Sequence, residues 1–192
     1  GLYSVTICRY SAALRLTGGS QGRYNVTFCK VRGPIKSQNT QTVLRHASQR
    51  CLAGGAKLTP KRSQVLEALV KSGKALSAYE IRDYCCNQLG YDLLPMSVYR
   101  ILEFLENNDL VHRLNTSSKY IACSHITCPH DHEPPQFLIC KSCHRVEEVS
   151  MPDRVIKTVT QATRLAGFQL ASKQLEIDCY CTECTLTKDT SA

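Results

Sequence analysis

Two Cys-x-x-Cys pairs, Cys140-x-x-Cys143 and Cys181-x-x-Cys184, constrain the C-terminal part of this 192-residue chain more than any other feature. The chain between them has the pattern of a strand, a helix and a strand, which can return the backbone to its starting point. Four thiolates can then surround one tetrahedral zinc. Burial as small hydrophobes is the weaker account, because packing rarely places four Cys in paired spacing. A site of this kind contributes on the order of 10 kcal/mol of apparent binding free energy, comparable with the whole stability of a small domain. Twelve Cys would suit a disulfide framework in a short secreted chain. Here no secretory signal opens the sequence and the Cys pairs are mixed with His, which points to metal ligation in a reducing, cytoplasmic setting.

A second concentration of ligand types lies upstream. His112, Cys123, His125, Cys128, His130 and His132 precede the first Cys pair, and Glu147 and Glu148 follow it. A lone His or Glu is by default a solvated surface residue, whereas several imidazoles and thiols at one junction favour a second metal site. The junction separates two differently patterned regions, so a metal shared across it could fix the angle between them.

The first region reads as a winged helix-turn-helix. A short helix fits 41–52 and is stopped by Gly54-Gly55. Thr59-Pro60 supplies an N-cap and a first helical position for the next helix, in which Val65, Leu66, Leu69 and Val70 share a face and which Gly73 ends. Ser77-Ala78-Tyr79-Glu80 fits a capping box, with Ile81, Tyr84 and Cys85 at core spacing and Gly90 closing the helix. A third helix spans 96–107, with Val98, Ile101, Leu102 and Leu105 on one stripe. Extended stretches at 110–114 and 119–123, separated by Asn115-Thr116-Ser117-Ser118, make a hairpin. Three helices and a hairpin form a winged helix, whose third helix enters the major groove and whose hairpin touches the backbone.

Beyond the junction, strands fit 137–140 and 146–149, a helix fits 152–165 before Gly167, and a strand fits 168–177. The expected fold is therefore α+β: a basic unstructured tail over 1–40, a winged-helix DNA-binding domain over 41–123, a ligand-rich linker over 124–135, a small α/β dimerisation domain over 136–184, and a tail over 185–192. The net charge of +8 is N-terminal: residues 1–66 hold eleven Lys and Arg and no acid. That surplus attracts polyanions without specifying a fold. An acid-free, Arg- and Ser-bearing leader also matches an organellar transit peptide, or sequence upstream of the true start. No run of about 18 apolar residues occurs, so no helical membrane span is expected.

Leu58-Thr59-Pro60-Lys61-Arg62, Ser77-Ala78-Tyr79-Glu80, Ser97-Val98-Tyr99-Arg100, Leu110-Val111-His112 and the two Cys pairs occur in the order and approximate spacing of the ferric uptake regulator family, which the chain resembles over 41–184. Within it the sequence is similar to the zinc uptake regulator branch. That resemblance implies two zinc ions per chain, one structural on Cys140, Cys143, Cys181 and Cys184, and one regulatory on His112, Cys123, His132 and Glu148. Because the linker varies in length across the family, His130 is an alternative to His132. It also implies a homodimer on double-stranded operator DNA, contacted by Tyr79, Tyr99 and Arg100, while the cations Lys61 and Arg62 are candidates to hold phosphates. The bland readings are a packed Tyr99 and an Arg100 that is solvated or paired with Asp83.

The ligand types agree independently. A thiolate at Cys123 favours zinc over Fe(II) and Mn(II), and no His between Arg50 and His112 lets the DNA-binding helices donate an imidazole. An iron- or peroxide-responsive relative is the nearest rival, and a redox-sensing thiol protein a further one. A zinc hydrolase or deaminase is the rival from another class; no His-x-Glu followed by Pro-Cys-x-x-Cys is present, and thiolate-rich closed sites leave no open position, so no enzyme is expected.

Overall fold

The computed structural model describes residues 39–128 and 134–189, with side chains through 186, and the backbone of 12–14 and 26–28. Within the segment read as an unstructured tail, β1 (Ala12–Leu14) and β2 (Val26–Phe28) pair antiparallel. Three-residue strands are too short to leave a period of two in the sequence, which is why the tail reading missed them.

Helix α1 (Thr40–Ala53) starts where the Asn39 side chain accepts the Gln41 N–H at 3.0 Å, and it buries Val43, Ala47 and Cys51 at helical spacing. Helix α2 (Pro60–Ser72) begins on Pro60, with Thr59 capping by backbone alone, and ends at Gly73, whose φ of 58° is left-handed. The capping box of α3 (Ala78–Leu89) forms in both directions: Glu80 N–H donates to Ser77 Oγ and Ser77 N–H to Glu80 Oε2. Helix α4 (Pro95–Asn107) buries Val98, Ile101, Leu102 and Leu105 against α2 and α3. The chain then turns into β3 (Val111–Leu114) and β4 (Lys119–Ala122), an antiparallel hairpin with Ser118 left-handed in its turn. Leu76 exchanges two backbone hydrogen bonds with Tyr120, tying the wing to the start of α3.

The second region forms a three-stranded sheet in the order β6-β5-β7, from β5 (Gln136–Cys140), β6 (Val146–Val149) and β7 (Leu175–Cys179). β5 runs antiparallel to β6 and parallel to β7, with α5 (Asp153–Leu165) as part of the crossover. The strand expected over 168–177 is shorter and shifted. Before Leu175 the backbone is held by a side chain rather than a ladder: buried Gln136 donates to the Lys173 carbonyl at 3.0 Å and accepts the Leu175 N–H at 2.9 Å. The expected tail over 185–192 is also corrected, since α6 (Thr182–Asp189) starts within the second Cys pair, where Cys184 and Thr185 N–H both donate to the Cys181 carbonyl. Its polar residues carry no apolar period that could have revealed it. Among the described residues, no helix is long and apolar enough to cross a membrane.

Candidate metal centres and nucleic-acid interface

The parallel pairing of Cys140 with Cys179 brings the ends of the second region together, and the four sulfurs of Cys140, Cys143, Cys181 and Cys184 all lie within 4.8 Å of one another. Cys143 and Cys181 Sγ are 3.7 Å apart, and the Cys181 N–H points at Cys140 Sγ at 3.4 Å. Arg145 and Glu183 clamp the two Cys loops with an ion pair of 3.1 Å. The N–H groups of Cys143 and Cys181 draw the Cys140 thiol down to about 6. The Ser142 hydroxyl lowers Cys184, yet the neighbouring sulfurs of Cys181 and Cys143 outweigh it and push that thiol up to about 12. Four sulfurs this close do not all ionise without a cation among them, so the donor set fits zinc.

The second cluster joins the two halves of the chain. His112 lies on β3, Cys123 directly follows β4, and Glu148 lies on β6, with their ligand atoms within 4.8 Å of one another. All three are well buried, the side chains of His112 and Glu148 being 10% and 5% exposed. His112 Nε2 is sealed from solvent without a hydrogen-bond partner among the described residues; Glu148 Oε1 stands 3.5 Å from it. Leaving such an atom unsatisfied costs about 1–3 kcal/mol, a cost that a shared cation removes. These residues therefore fit a metal.

Glu148 is also held by Ser124, whose N–H and hydroxyl both donate to Oε2 at 2.9 Å, and by His125, whose Nδ1 lies 2.9 Å from Oε1. Burial works to raise the Glu148 carboxyl, but the imidazoles of His112 and His125 and the Ser124 N–H outweigh it and hold the group well below the usual carboxylate range. Burial, reinforced by the Glu148 charge, pushes the Cys123 thiol well up. His130 and His132 lie outside the described residues. Sequence reasoning did not single out Ser124, because a serine in a polar linker carries no signal of the carboxylate it will meet.

In the winged region Tyr79 and Tyr99 stack edge to face, 6.2 Å between centroids, and remain 61% and 41% exposed. Arg100 is exposed beside them, and Asp83 pairs with Arg82. Lys61 is exposed at the start of α2, but the Arg62 guanidinium lies 3.4 Å from the centroid of the Phe104 ring and donates to the Lys57 carbonyl at 2.6 Å. Arg62 is thus engaged in packing α2 against α4. Of the remaining cysteines, Cys51 and Cys85 are buried, Cys86 is exposed, and Cys179 Sγ lies 3.6 Å from the Ile139 carbonyl.

The sequence model of the ferric uptake regulator family matches residues 53–178. The chain belongs to that family. It is accordingly a regulator and not an enzyme. Among its relatives, a zinc uptake regulation protein of Escherichia coli (strain K12) is 29% identical over 150 residues, covering 78% of this chain and 85% of its own length. A ferric uptake regulation protein of Helicobacter pylori (strain J99) is 26% identical over 157 residues, covering 79% and 97%. Of solved structures, a zinc uptake regulator complexed with zinc and DNA superposes with a TM-score of 0.67 at 25% identity, covering 80% of this chain and 99% of that one. Holo XcZur superposes at 0.63 with 31% identity, covering 77% and 99%.

Proposed function

We propose that this family member is a zinc-responsive, sequence-specific repressor of zinc uptake genes, acting in the cytoplasm as a homodimer on double-stranded operator DNA. The observation that carries this reading is the buried His112 Nε2, without a hydrogen-bond partner among the described residues, beside Cys123 and Glu148 at the seam between a winged helix and a second domain. One thiolate with imidazole and carboxylate favours zinc over harder divalent ions. His132, or His130 in its place, completes the four ligands. Zinc, when bound, supplies a rigid tie between the hairpin of the winged domain and β6. With that tie made, the two recognition helices of a dimer keep the spacing of successive major grooves.

The dimer reading draws on α5, none of whose 13 residues is buried in one chain, and on Leu165, Phe168 and Tyr180, which are all more than half exposed. A second copy completes this core. The four-Cys zinc supports the 136–184 domain, while the 41–123 domain presents Tyr79, Tyr99, Arg100 and Lys61 to DNA. The similarity to zinc uptake regulators supports this reading. The test is to select genomic DNA bound by the zinc-loaded protein and titrate its affinity against free zinc, with Fe(II) and Mn(II) as parallel arms. Zinc alone is expected to restore binding to the protein stripped of its second metal; restoration by Fe(II) instead overturns the zinc assignment.

A further inference from the structure

Phe137 on β5 pairs in register with Glu148 on one neighbouring strand and Glu176 on the other. Residues aligned across a sheet share a face, so Glu148, Phe137 and Glu176 form one row. The row meets the β3–β4 hairpin at three places. Glu148 holds Ser124 at the hairpin root. The fully buried Phe137 ring lies 5.7 Å from the His112 ring. Glu176 takes the far end, where its carboxylate accepts the Asn115 N–H at 2.6 Å, the Thr116 N–H at 3.0 Å and the Thr116 hydroxyl at 2.5 Å. Gln174 braces the grip, its amide donating to Glu176 and to the Arg113 carbonyl, both at 2.9 Å.

A carboxylate that caps a turn is ordinarily local. Here donor and acceptor are 60 residues apart, and the turn belongs to the winged domain while β7 belongs to the second. The hairpin is a short lever carrying His112 along its length and Cys123 at its foot. Freeing its tip leaves the root as a pivot, and rotation about that pivot carries His112 away from Glu148 and Cys123. Sites that bind only in one arrangement lose apparent affinity in proportion to the fraction of molecules outside it.

We propose that Glu176 is a positioning residue of the sensor, gripping the wing turn so that the winged domain sits where His112, Cys123 and Glu148 converge. The inference rests on the zinc-sensor reading above. The grip adds a second, metal-free fastening between the domains, and it couples wing orientation to zinc affinity in both directions.

The test uses the full chain with its tighter zinc in place. Affinity for the second Zn2+ is read by competition with a chromophoric chelator, and amide exchange of Asn115, Thr116 and Ser124 is followed in the same preparations. Glu176→Ala is expected to weaken the second zinc about fivefold or more, within the usual range of coupling between sites, and to leave the four-Cys zinc bound. Glu176→Gln keeps one accepting oxygen and is expected to fall between the two; it also carries the comparison should the alanine variant not fold. Faster exchange at Asn115 and Thr116 with unchanged second-zinc affinity in the variants overturns the positioning role alone. A parent chain that takes up only one zinc overturns the sensor reading, and this inference with it.

Discussion

His125 Nδ1 lies 2.9 Å from Glu148 Oε1, and the same histidine's backbone N–H points at Cys123 Sγ at 3.3 Å, so one residue braces two donors of the interdomain cluster. Residues that orient ligands typically change metal affinity by 10- to 100-fold. We expect His125→Ala to weaken the second zinc by about tenfold while secondary structure and the four-Cys zinc persist. Chelator competition checks this; parent-like affinity removes His125 from the sensor.

Removing a ligand should separate sensing from folding. Cys123→Ala or His112→Ala is expected to give a folded dimer with one zinc per chain that no longer binds operator DNA at zinc levels saturating the parent. Zinc stoichiometry and DNA binding in one preparation decide it. A variant that keeps both zincs and still binds DNA excludes the substituted residue.

Cys140→Ser and Cys181→Ser act on the other centre. Each leaves three sulfurs where the ends of β5 and β7 meet. We expect neither variant to form a stable dimer, and sedimentation velocity will show monomer or aggregate; an unchanged dimer sinks the structural assignment.

Truncation defines the N-terminal boundary. The cap of α1 is Asn39, and α1 buries Val43, Ala47 and Cys51 in the winged-domain core. Deleting residues 1–38 is therefore expected to preserve zinc-dependent DNA recognition with a shallower salt dependence, since phosphate contacts from the basic segment are lost. A cut at residue 53 should unfold the winged domain. Loss of specific binding on deleting 1–38 would show that those residues belong to the DNA-binding unit.

The Glu176 carboxyl gives a pH signature. Burial raises it, but the Thr116 hydroxyl and the N–H groups of Thr116 and Asn115 prevail and hold it below its ordinary value of 4.5. A carboxyl depressed in the folded state contributes stability above its unfolded value, and that contribution is lost as pH falls through the folded value. The stability difference between parent and Glu176→Gln should thus be full at neutral pH and shrink below about pH 4.5. Denaturant midpoints across pH 3–7 measure it; a difference that grows on acidification contradicts the grip.

Local chemistry made much of the fold legible. The Ser77 and Glu80 capping box, left-handed Gly73 and Gly90, and the stripe of Val98, Ile101, Leu102 and Leu105 depend on neighbours within about a turn, so sequence spacing encodes them. The four Cys were legible because their spacing is a ligand pattern, and the structure brings all four together. His112, Cys123 and Glu148 also converge as the family resemblance implied. What stayed hidden depends on distant partners. Nothing in Leu175-Glu176-Ile177 tells that Glu176 will meet a turn 60 residues away. Nor does the sequence tell that the Arg62 guanidinium will lie over Phe104 on another helix. The end of β7 moved because Gln136, a polar residue in an apolar strand, reaches across to do a ladder's work.

The parallel pairing of β5 with β7 orders events in time. The two halves of the four-Cys cluster stand far apart in sequence, so of these four a chain emerging from the ribosome offers only Cys140 and Cys143 until Cys181 and Cys184 have been made. The winged domain, complete by Cys123, is free to fold first. The zinc proposed for the second domain would then be held only once synthesis has passed Cys184, because a polypeptide released earlier lacks the complete second Cys pair that meets Cys140 and Cys143.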